Sequence, residues 1–112
     1  MKIKILTVII GTLIINILFG QTEKTENKVI TESFVKYYNN DDYKSIFSMF
    51  ADVMKEVLPL NKTIDFFSGI KSQAGNITNR EFLKYENGTY ASYKMTFEHA
   101  VFLLNISIDD NS

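Results

Sequence analysis

The sequence predicts an α+β fold in which three helices precede an antiparallel sheet and pack on one of its faces. Apolar residues recur every three or four positions up to Ala74 and every second position after Gly75, so the helical part comes first. The pair Asn87 and Gly88 then marks a hairpin, because both central residues of a type I′ turn need a positive φ.

Residues 1–20 are predicted to be a signal peptide. Lys2 and Lys4 provide a positive start, residues 5–19 carry no charge, and the chain becomes polar directly after Gly20. A transmembrane helix needs about 20 apolar residues, more than this stretch offers. We therefore expect cleavage after Gly20 and export to the periplasm or the extracellular space. The alternative is a leader that is kept as a membrane anchor.

Residues 21–28 are predicted to be a polar linker, and residues 29–112 a single α+β domain. Helical spacing of apolar residues begins at Val29 and continues to Tyr38. The candidate N-caps of this first helix are Asn27, Thr31 and Ser33.

A second helix is predicted over residues 43–58. An Asn-Asn-Asp-Asp sequence at 39–42 stops the first helix, and Asp41 or Asp42 is expected to cap the second. A new helix start at Asp52, with a bend near Ala51, is the alternative to one continuous helix. The expected apolar face consists of Tyr43, Ile46, Phe47, Phe50, Val53, Met54, Val57 and Leu58.

Pro59 ends that segment, and a third helix is predicted to run to Ala74, with Asn61 or Thr63 as its cap. Gly75 stands where the residue after a helix often adopts a positive φ. The expected buried side consists of Ile64, Phe67, Ile70 and Ala74.

Three strands are predicted next, at residues 80–86, 89–97 and 101–109. Period two places Ala91, Tyr93, Met95 and Phe97 on one face of the second strand, and Phe102, Leu104, Ile106 and Ile108 on one face of the third. Val101 and Leu103 are also apolar, which favours cover on both faces of the third strand. Because the chain then reaches a turn sequence at 109–112, we expect that a final strand is missing.

Composition limits the classes of function. About 90 residues follow the leader, enough for one domain. Ten basic residues then face 13 acidic ones, a net charge near −3 that argues against a nucleic-acid-binding protein. Cysteine is absent, so an apolar core must hold the fold without disulfides. The side chains expected to be most buried are Phe47, Phe50, Phe67, Tyr93, Phe102 and Leu104.

The segment from Phe34 to Ser112 resembles a known family. The sequences that carry the resemblance are Tyr-Asn-Asn-Asp-Asp-Tyr at 38–43, Leu-Pro-Leu at 58–60, Phe-Phe-Ser-Gly at 66–69, Lys-Ser-Gln-Ala-Gly at 71–75, Arg-Glu-Phe at 80–82, Tyr-Ala-Ser-Tyr-Lys at 90–94 and Asn-Ile-Ser-Ile-Asp-Asp at 105–110. The family is a domain of unknown function near the N-terminus of exported bacterial proteins, often before a serine hydrolase of the β-lactamase type or a peptidase domain.

The resemblance implies a cystatin-like cone with a curved sheet, the α+β fold that nuclear transport factor two and ketosteroid isomerase share. That fold hosts both enzymes and binding modules, so it implies no chemistry. The family normally continues into one more strand and then a second domain.

Two Ser-x-x-Lys patterns, Ser33 with Lys36 and Ser68 with Lys71, place a lysine amine one helical turn from a serine hydroxyl, as in penicillin-recognising enzymes. The companion motifs of that chemistry, Ser-Asp-Asn and Lys-Thr-Gly, are absent from the sequence. We therefore expect two solvated helix pairs.

His99 is the only histidine, so no histidine cluster can build a zinc site, and we expect an exposed turn residue. Tyrosines with a nearby carboxyl, Asp65 or Glu81, are candidates for lining the cone. Aromatic residues with these periods are more often core, so no catalytic residue, cofactor or metal ligand is predicted. The candidate tyrosines are Tyr37, Tyr38, Tyr43, Tyr85, Tyr90 and Tyr93.

The expected function is that of a non-catalytic accessory or regulatory domain of an exported protein, with a covalently linked or neighbouring hydrolase domain as partner. The alternative is a free-standing protein that binds a small apolar ligand in the cone, and a third hypothesis is an isomerase-like or dehydratase-like enzyme. A homodimer through the sheet would follow from an unpaired edge strand. No nucleic-acid partner and no membrane span after cleavage are expected.

Overall fold

The computed structural model describes residues 22–86 and 90–108, and this part of the chain has an α+β fold with four helices followed by one antiparallel sheet of three strands. The α+β class and the antiparallel sheet are confirmed, with four helices where three were expected. The signal peptide and the turn at Asn87 and Gly88 lie outside the described residues. The elements are α1 (Thr25–Asn39), α2 (Tyr43–Ser48), α3 (Asp52–Val57), α4 (Leu60–Ala74), β1 (Ile77–Glu86), β2 (Tyr90–Phe97) and β3 (Val101–Ile106).

Helix α1 begins at Thr25, so residues 25–28 of the expected polar linker are part of the folded domain. Lys24 precedes the helix in an extended conformation and makes no side-chain capping bond, so the three expected caps were wrong. Asn27 and Thr31 are buried instead, because this part of α1 faces the sheet. The Thr31 hydroxyl donates a hydrogen bond to the carbonyl oxygen of Asn27, 2.9 Å away.

The predicted second helix is two helices, which confirms the alternative of a new start at Asp52. Asp42 caps α2 by accepting a 3.2 Å hydrogen bond from the backbone N–H of Ser45, as expected. Ala51 is extended and reorients the chain, so α3 leaves the core and has no buried residue. Val53, Met54 and Val57 are therefore 74%, 41% and 72% exposed, and their expected burial was wrong.

Helix α4 starts at Leu60, directly after Pro59, whose extended backbone makes the transition without a side-chain cap. The expected caps were wrong, since Asn61 and Thr63 both lie inside the helix. Thr63 is fully buried, and Ile64 is exposed although the sequence placed it on the buried side.

Gly75 ends α4 with a φ of 81°, as the sequence predicted. A Cβ atom on this residue would contact the Glu98 side chain, whose own Cβ would lie 3.0 Å away, so the positive φ and the limited space both favour glycine. The carbonyl oxygen of Gly75 accepts a 2.8 Å hydrogen bond from the Tyr38 hydroxyl, which ties the end of α4 to α1.

The strands follow one another in the sheet in the order β1–β2–β3. Strand β1 starts earlier than residue 80, and β3 ends before residue 109. Register shifts between Ile77 and Asn79 and between Phe82 and Lys84 give β1 two bulges. The register of β2 and β3 shows no shift, and Tyr93 lies opposite Leu104 on the face that the helices cover.

The core lies between the helices and the first two strands, and Tyr38 packs against Phe97 with ring centroids 5.4 Å apart. Of the six residues expected to be most buried, only Tyr93 is fully buried. Phe102 is 45% exposed, because it lines an open groove beside α4, so its expected burial was wrong. The buried apolar residues are Tyr38, Tyr43, Ile46, Ala74, Ile77, Ala91, Tyr93, Met95 and Phe97. The partly buried ones among the six are Phe47, Phe50, Phe67 and Leu104.

Strand β3 exposes apolar side chains on both of its faces, Val101 and Leu103 on one and Phe102 on the other, where Phe66 of α4 lines the same groove (together, the β3 surface). Val101 is 57% and Leu103 72% exposed on the face that lies away from the helices. The expected cover on both faces of β3 is therefore absent among the described residues.

Candidate functional site

A polar cluster lies beneath α1, where the N-terminal segment meets the sheet. It consists of Glu23, Thr31, Arg80 and Tyr93 (the Arg80 cluster). Thr31 lies on α1, Arg80 on β1 and Tyr93 on β2, whereas Glu23 lies in the non-helical segment before α1. Arg80 and Tyr93 share the face of the sheet that points to the helices, because Arg80 pairs with Met95, two residues from Tyr93.

The carboxylate of Glu23 joins the cluster together. Its Oε2 accepts hydrogen bonds from Arg80 Nη1 and from the Tyr93 hydroxyl, the latter at 2.7 Å. Arg80 Nη1 also donates a 3.0 Å hydrogen bond to Thr31 Oγ1. The side chains of Glu23 and Arg80 are only 16% and 17% exposed, so solvent ions screen this pair less than a surface ion pair.

Aromatic rings border the cluster. The guanidinium carbon of Arg80 lies 5.5 Å from the ring centroid of Tyr93. The hydroxyl of Tyr85 accepts a 2.8 Å hydrogen bond from the backbone N–H of Lys24 and lies 3.2 Å from Asn27 Oδ1. The segment before α1 is thus held against the sheet at two adjacent residues, Glu23 and Lys24.

The surroundings of the cluster fix its protonation near neutral pH. Burial raises the pKa of Glu23, but hydrogen bonds from Arg80 and Tyr93 lower it by more, so the net pKa is below its usual value of 4.5. Burial raises the pKa of Tyr93, and the hydrogen bond to Glu23 raises it further. Glu23 is therefore ionised and Tyr93 protonated, an arrangement suited to holding an anion rather than to transferring protons.

The Ser68 and Lys71 side chains of one predicted pair have different partners. Lys71 Nζ donates to the carbonyl oxygens of Tyr38 and Asn39, at 3.1 and 3.4 Å, and pairs with Asp41 at 2.6 Å. The Ser68 hydroxyl donates to the carbonyl oxygen of Asp65 in its own helix. Lys71 thus places its charge at the C-terminal end of α1, where the helix dipole favours a cation. In the other pair, Ser33 is partly buried and Lys36 is exposed on α1, so the expectation of two solvated pairs was wrong for Lys71 and Ser33.

His99 is exposed in the connection between β2 and β3, as the sequence predicted. Its backbone N–H donates a 2.9 Å hydrogen bond to the carbonyl oxygen of Ala74. The residue lines an open groove of about 370 Å³ that Phe66, Ile70 and Phe102 also line. This groove therefore borders the β3 surface.

Three of the six candidate tyrosines lie in the core, and three lie at its edge. Tyr38, Tyr43 and Tyr93 are buried, and the other three are partly buried. Asp65 and Glu81 are both exposed, so neither is the carboxyl beside a buried tyrosine.

Two other carboxylates lie beside buried tyrosines: Asp41 accepts a 3.1 Å hydrogen bond from the Tyr43 hydroxyl, and Glu23, in the predicted linker, accepts one from Tyr93. No periodicity marks Glu23, because it precedes the first helix. Its only sequence signal is a charge opposite to that of Arg80.

Within residues 22–86 and 90–108, no group of three or more histidine, aspartate or glutamate side chains is placed so that it could hold a metal ion. The helices of the same ranges are all too short or too polar to cross a membrane.

A family comparison adds to this geometry. The family model described as protein of unknown function (DUF3887) matches residues 31–112. The chain belongs to this family. The DUF3887 match includes Thr31, Arg80 and Tyr93 of the Arg80 cluster, while Glu23 precedes it. No curated protein and no solved structure matches the chain.

Proposed function

We propose that the chain is an exported, non-catalytic accessory domain that docks on a hydrolase domain. The β3 surface carries this proposal. Val101 and Leu103 are exposed on one face of the strand and Phe102 on the other, and the sequence of β3 contains no charged residue. Among the described residues, β3 pairs only with β2. An edge strand of this kind offers main-chain groups and apolar side chains to an incoming extended segment.

The proposed occupant of the edge is an extended apolar segment of the hydrolase domain, added as a fourth strand. On the face away from the helices, Leu103 lies opposite Lys94 and Val101 opposite Thr96. The apolar surface on this face therefore ends at β2 and is one strand wide. An apolar surface of this width can be covered by one added strand of the partner, whereas a broad partner surface would also cover the polar residues of β2.

The helix-covered face supports the same occupant. The groove of about 370 Å³ beside Phe66 and Phe102 has room for side chains of the incoming strand. With that strand in place the sheet would have four strands, and the finer fold we propose is the cystatin-like cone. The two bulges of β1 supply bends of the kind that curve a sheet.

Site-specific photo-crosslinking in the producing bacterium tests the docking. A photoreactive amino acid replaces Leu103 in one variant and, as the matched control, exposed Glu81 of β1 in another. We expect position 103 to crosslink to a protein that contains a hydrolase domain and position 81 not to. Crosslinks only between copies of the chain, equal crosslinking from both positions, or no crosslink at all would contradict the proposal.

Export is proposed from the leader sequence, in which the charged start and the uncharged stretch end at Gly20. Mass measurement of the exported protein should show a chain that begins at Gln21. A chain that still begins at Met1 in the membrane fraction would contradict cleavage.

A further inference from the structure

We propose that Arg80, Tyr93 and Thr31 form a binding site for a small monocarboxylate, and that Glu23 occupies this site as an internal ligand. The site lies toward the β1 edge of the sheet, opposite β3. The proposal therefore goes beyond the accessory role and does not depend on it.

The elements that hold the cluster separate it into a fixed part and a detachable part. Arg80 and Tyr93 lie on neighbouring strands, and Thr31 lies on α1, so their positions are set by the sheet and the helix packed on it. The carboxylate lies on the short non-helical segment 22–24. Glu23 can leave this position without the loss of any helix or strand.

The fixed part requires an anion. Tyr93 is fully buried, and the Arg80 side chain is 17% exposed. Removal of the carboxylate would leave a buried hydroxyl and a shielded positive charge without their shared acceptor, which is costly. Glu23 is therefore expected to leave when another anion takes its place.

The charges around the guanidinium favour a monoanion. Arg80 Nη1 and the Tyr93 hydroxyl converge on one carboxylate oxygen. Glu32 Oε2 lies 3.7 Å from Arg80 Nη2 on the outer side of the same guanidinium. This second negative charge already compensates part of the arginine charge, so a doubly charged phosphate or sulfate is disfavoured.

A groove gives access to the arginine. It has a volume of about 360 Å³, lies between α1 and β1, and is lined by Glu32, Val35, Ile77, Thr78, Asn79 and Arg80. The guanidinium can thus be approached from solvent while Glu23 is still bound. Val35 and Ile77 offer apolar contact for a short alkyl chain.

The tether of Glu23 sets how strongly it competes. Glu23 directly precedes Lys24, whose backbone N–H is bonded to the Tyr85 hydroxyl, so its carboxylate competes from a position beside the site. Removal of the Glu23 carboxylate should therefore tighten binding of a free carboxylate without changing the fixed part of the site.

The test compares binding of propionate to four forms of the full chain. These are the unchanged protein, Glu23→Ala, Glu23→Ala with Arg80→Gln, and the control Glu26→Ala, which removes an exposed carboxylate three residues away. Calorimetry gives the affinity, and the melting temperature gives an independent measure, since a ligand that binds the folded state raises it. Sodium chloride at equal ionic strength serves as the reference.

We expect propionate to bind Glu23→Ala about tenfold or more tightly than the unchanged protein. Glu26→Ala should match the unchanged protein, and the double variant should not respond. If Glu23→Ala does not fold, Glu23→Gln, which keeps the size of the side chain, takes its place.

Three outcomes would overturn the site. Chloride could raise the melting temperature of Glu23→Ala as much as propionate does, phosphate could bind better than propionate, or Glu23→Ala could bind propionate no more tightly than the unchanged protein. In the last case the cluster is an internal ion pair only. None of these outcomes bears on crosslinking at position 103, so failure of this site and failure of the accessory role are distinguishable.

Discussion

Lys71 Nζ lies 2.6 Å from Asp41 Oδ1, so a lysine in the last turn of α4 forms an ion pair just after the C-terminal end of α1. The same amine reaches the carbonyl oxygen of Tyr38 and lies 5.0 Å from the centroid of its ring. Lys71 therefore connects two helices that are not neighbours in the sequence.

Replacement of Lys71 by methionine should lower the free energy of unfolding by about 1–2 kcal/mol, because the carbonyl groups at the end of α1 lose their cation. Urea denaturation measures the change. Lys62→Met, which removes an exposed lysine from the same helix, is the control and should have little effect. If the urea unfolding curves of the two variants had equal midpoints and slopes, the contacts of Lys71 would not stabilise the fold.

Gly75→Ala should destabilise the fold by about 1–3 kcal/mol, because alanine strains at a positive φ. The new Cβ would also contact Glu98, whose Oε1 accepts a 2.8 Å hydrogen bond from the backbone N–H of Asn76. In the double variant with Glu98→Ala, the loss should be smaller than the sum of the two single losses, since part of the clash is gone. Thermal melts of the four proteins complete this cycle, and strict additivity would argue against the clash.

The stability of the fold should fall in acid in a manner that depends on Glu23. Its folded pKa is lowered, so its contribution is complete above the unfolded value of 4.5 and is lost as the pH falls through the folded value. We expect the free energy of unfolding of Glu23→Gln to decline less steeply than that of the unchanged protein below about pH 5. Glu26→Gln is the control and should keep the steeper decline. Parallel curves for all three proteins would show that the Glu23 ion pair contributes nothing to acid sensitivity.

The two faces of the sheet should respond differently to truncation of apolar side chains. Met95 is 1% exposed, so Met95→Ala should cost about 2–5 kcal/mol through lost burial and a residual cavity. Leu103 is 72% exposed, and Leu103→Ala should change the free energy of unfolding by about 0.5 kcal/mol or less. Chemical denaturation distinguishes the two cases, and a large loss for Leu103→Ala would mean that β3 is covered in solution.

Elements with a regular apolar period could be predicted from the sequence. The buried face of β2 follows strict alternation, and the positions of Ala91, Tyr93 and Met95 were correct. The cap at Asp42 and the positive φ of Gly75 were also correct, because each depends on local chemistry.

Burial that depends on tertiary position could not be predicted in the same way. Val57 continues the helical period of α2, but the extended backbone at Ala51 turns α3 away from the core. Phe102 alternates correctly within β3, and its exposure follows from the open groove between this strand and α4. Within the candidate site, Arg80 and Tyr93 were in predicted strands, whereas Glu23 is 57 residues from Arg80 and has no local signal.

The two edge strands of the sheet differ in how readily they can pair with a strand of another molecule. Strand β1 is interrupted by two bulges and carries Glu81, Lys84 and Glu86, features that discourage edge-to-edge pairing. Strand β3 has an unbroken register with β2 and no charge. Growth into a fibre needs two competent edges on every molecule, and the sheet formed by the described residues has one. Pairing through β3 therefore ends in a closed complex of two partners, and an apolar edge of this kind can be exposed without seeding a fibril.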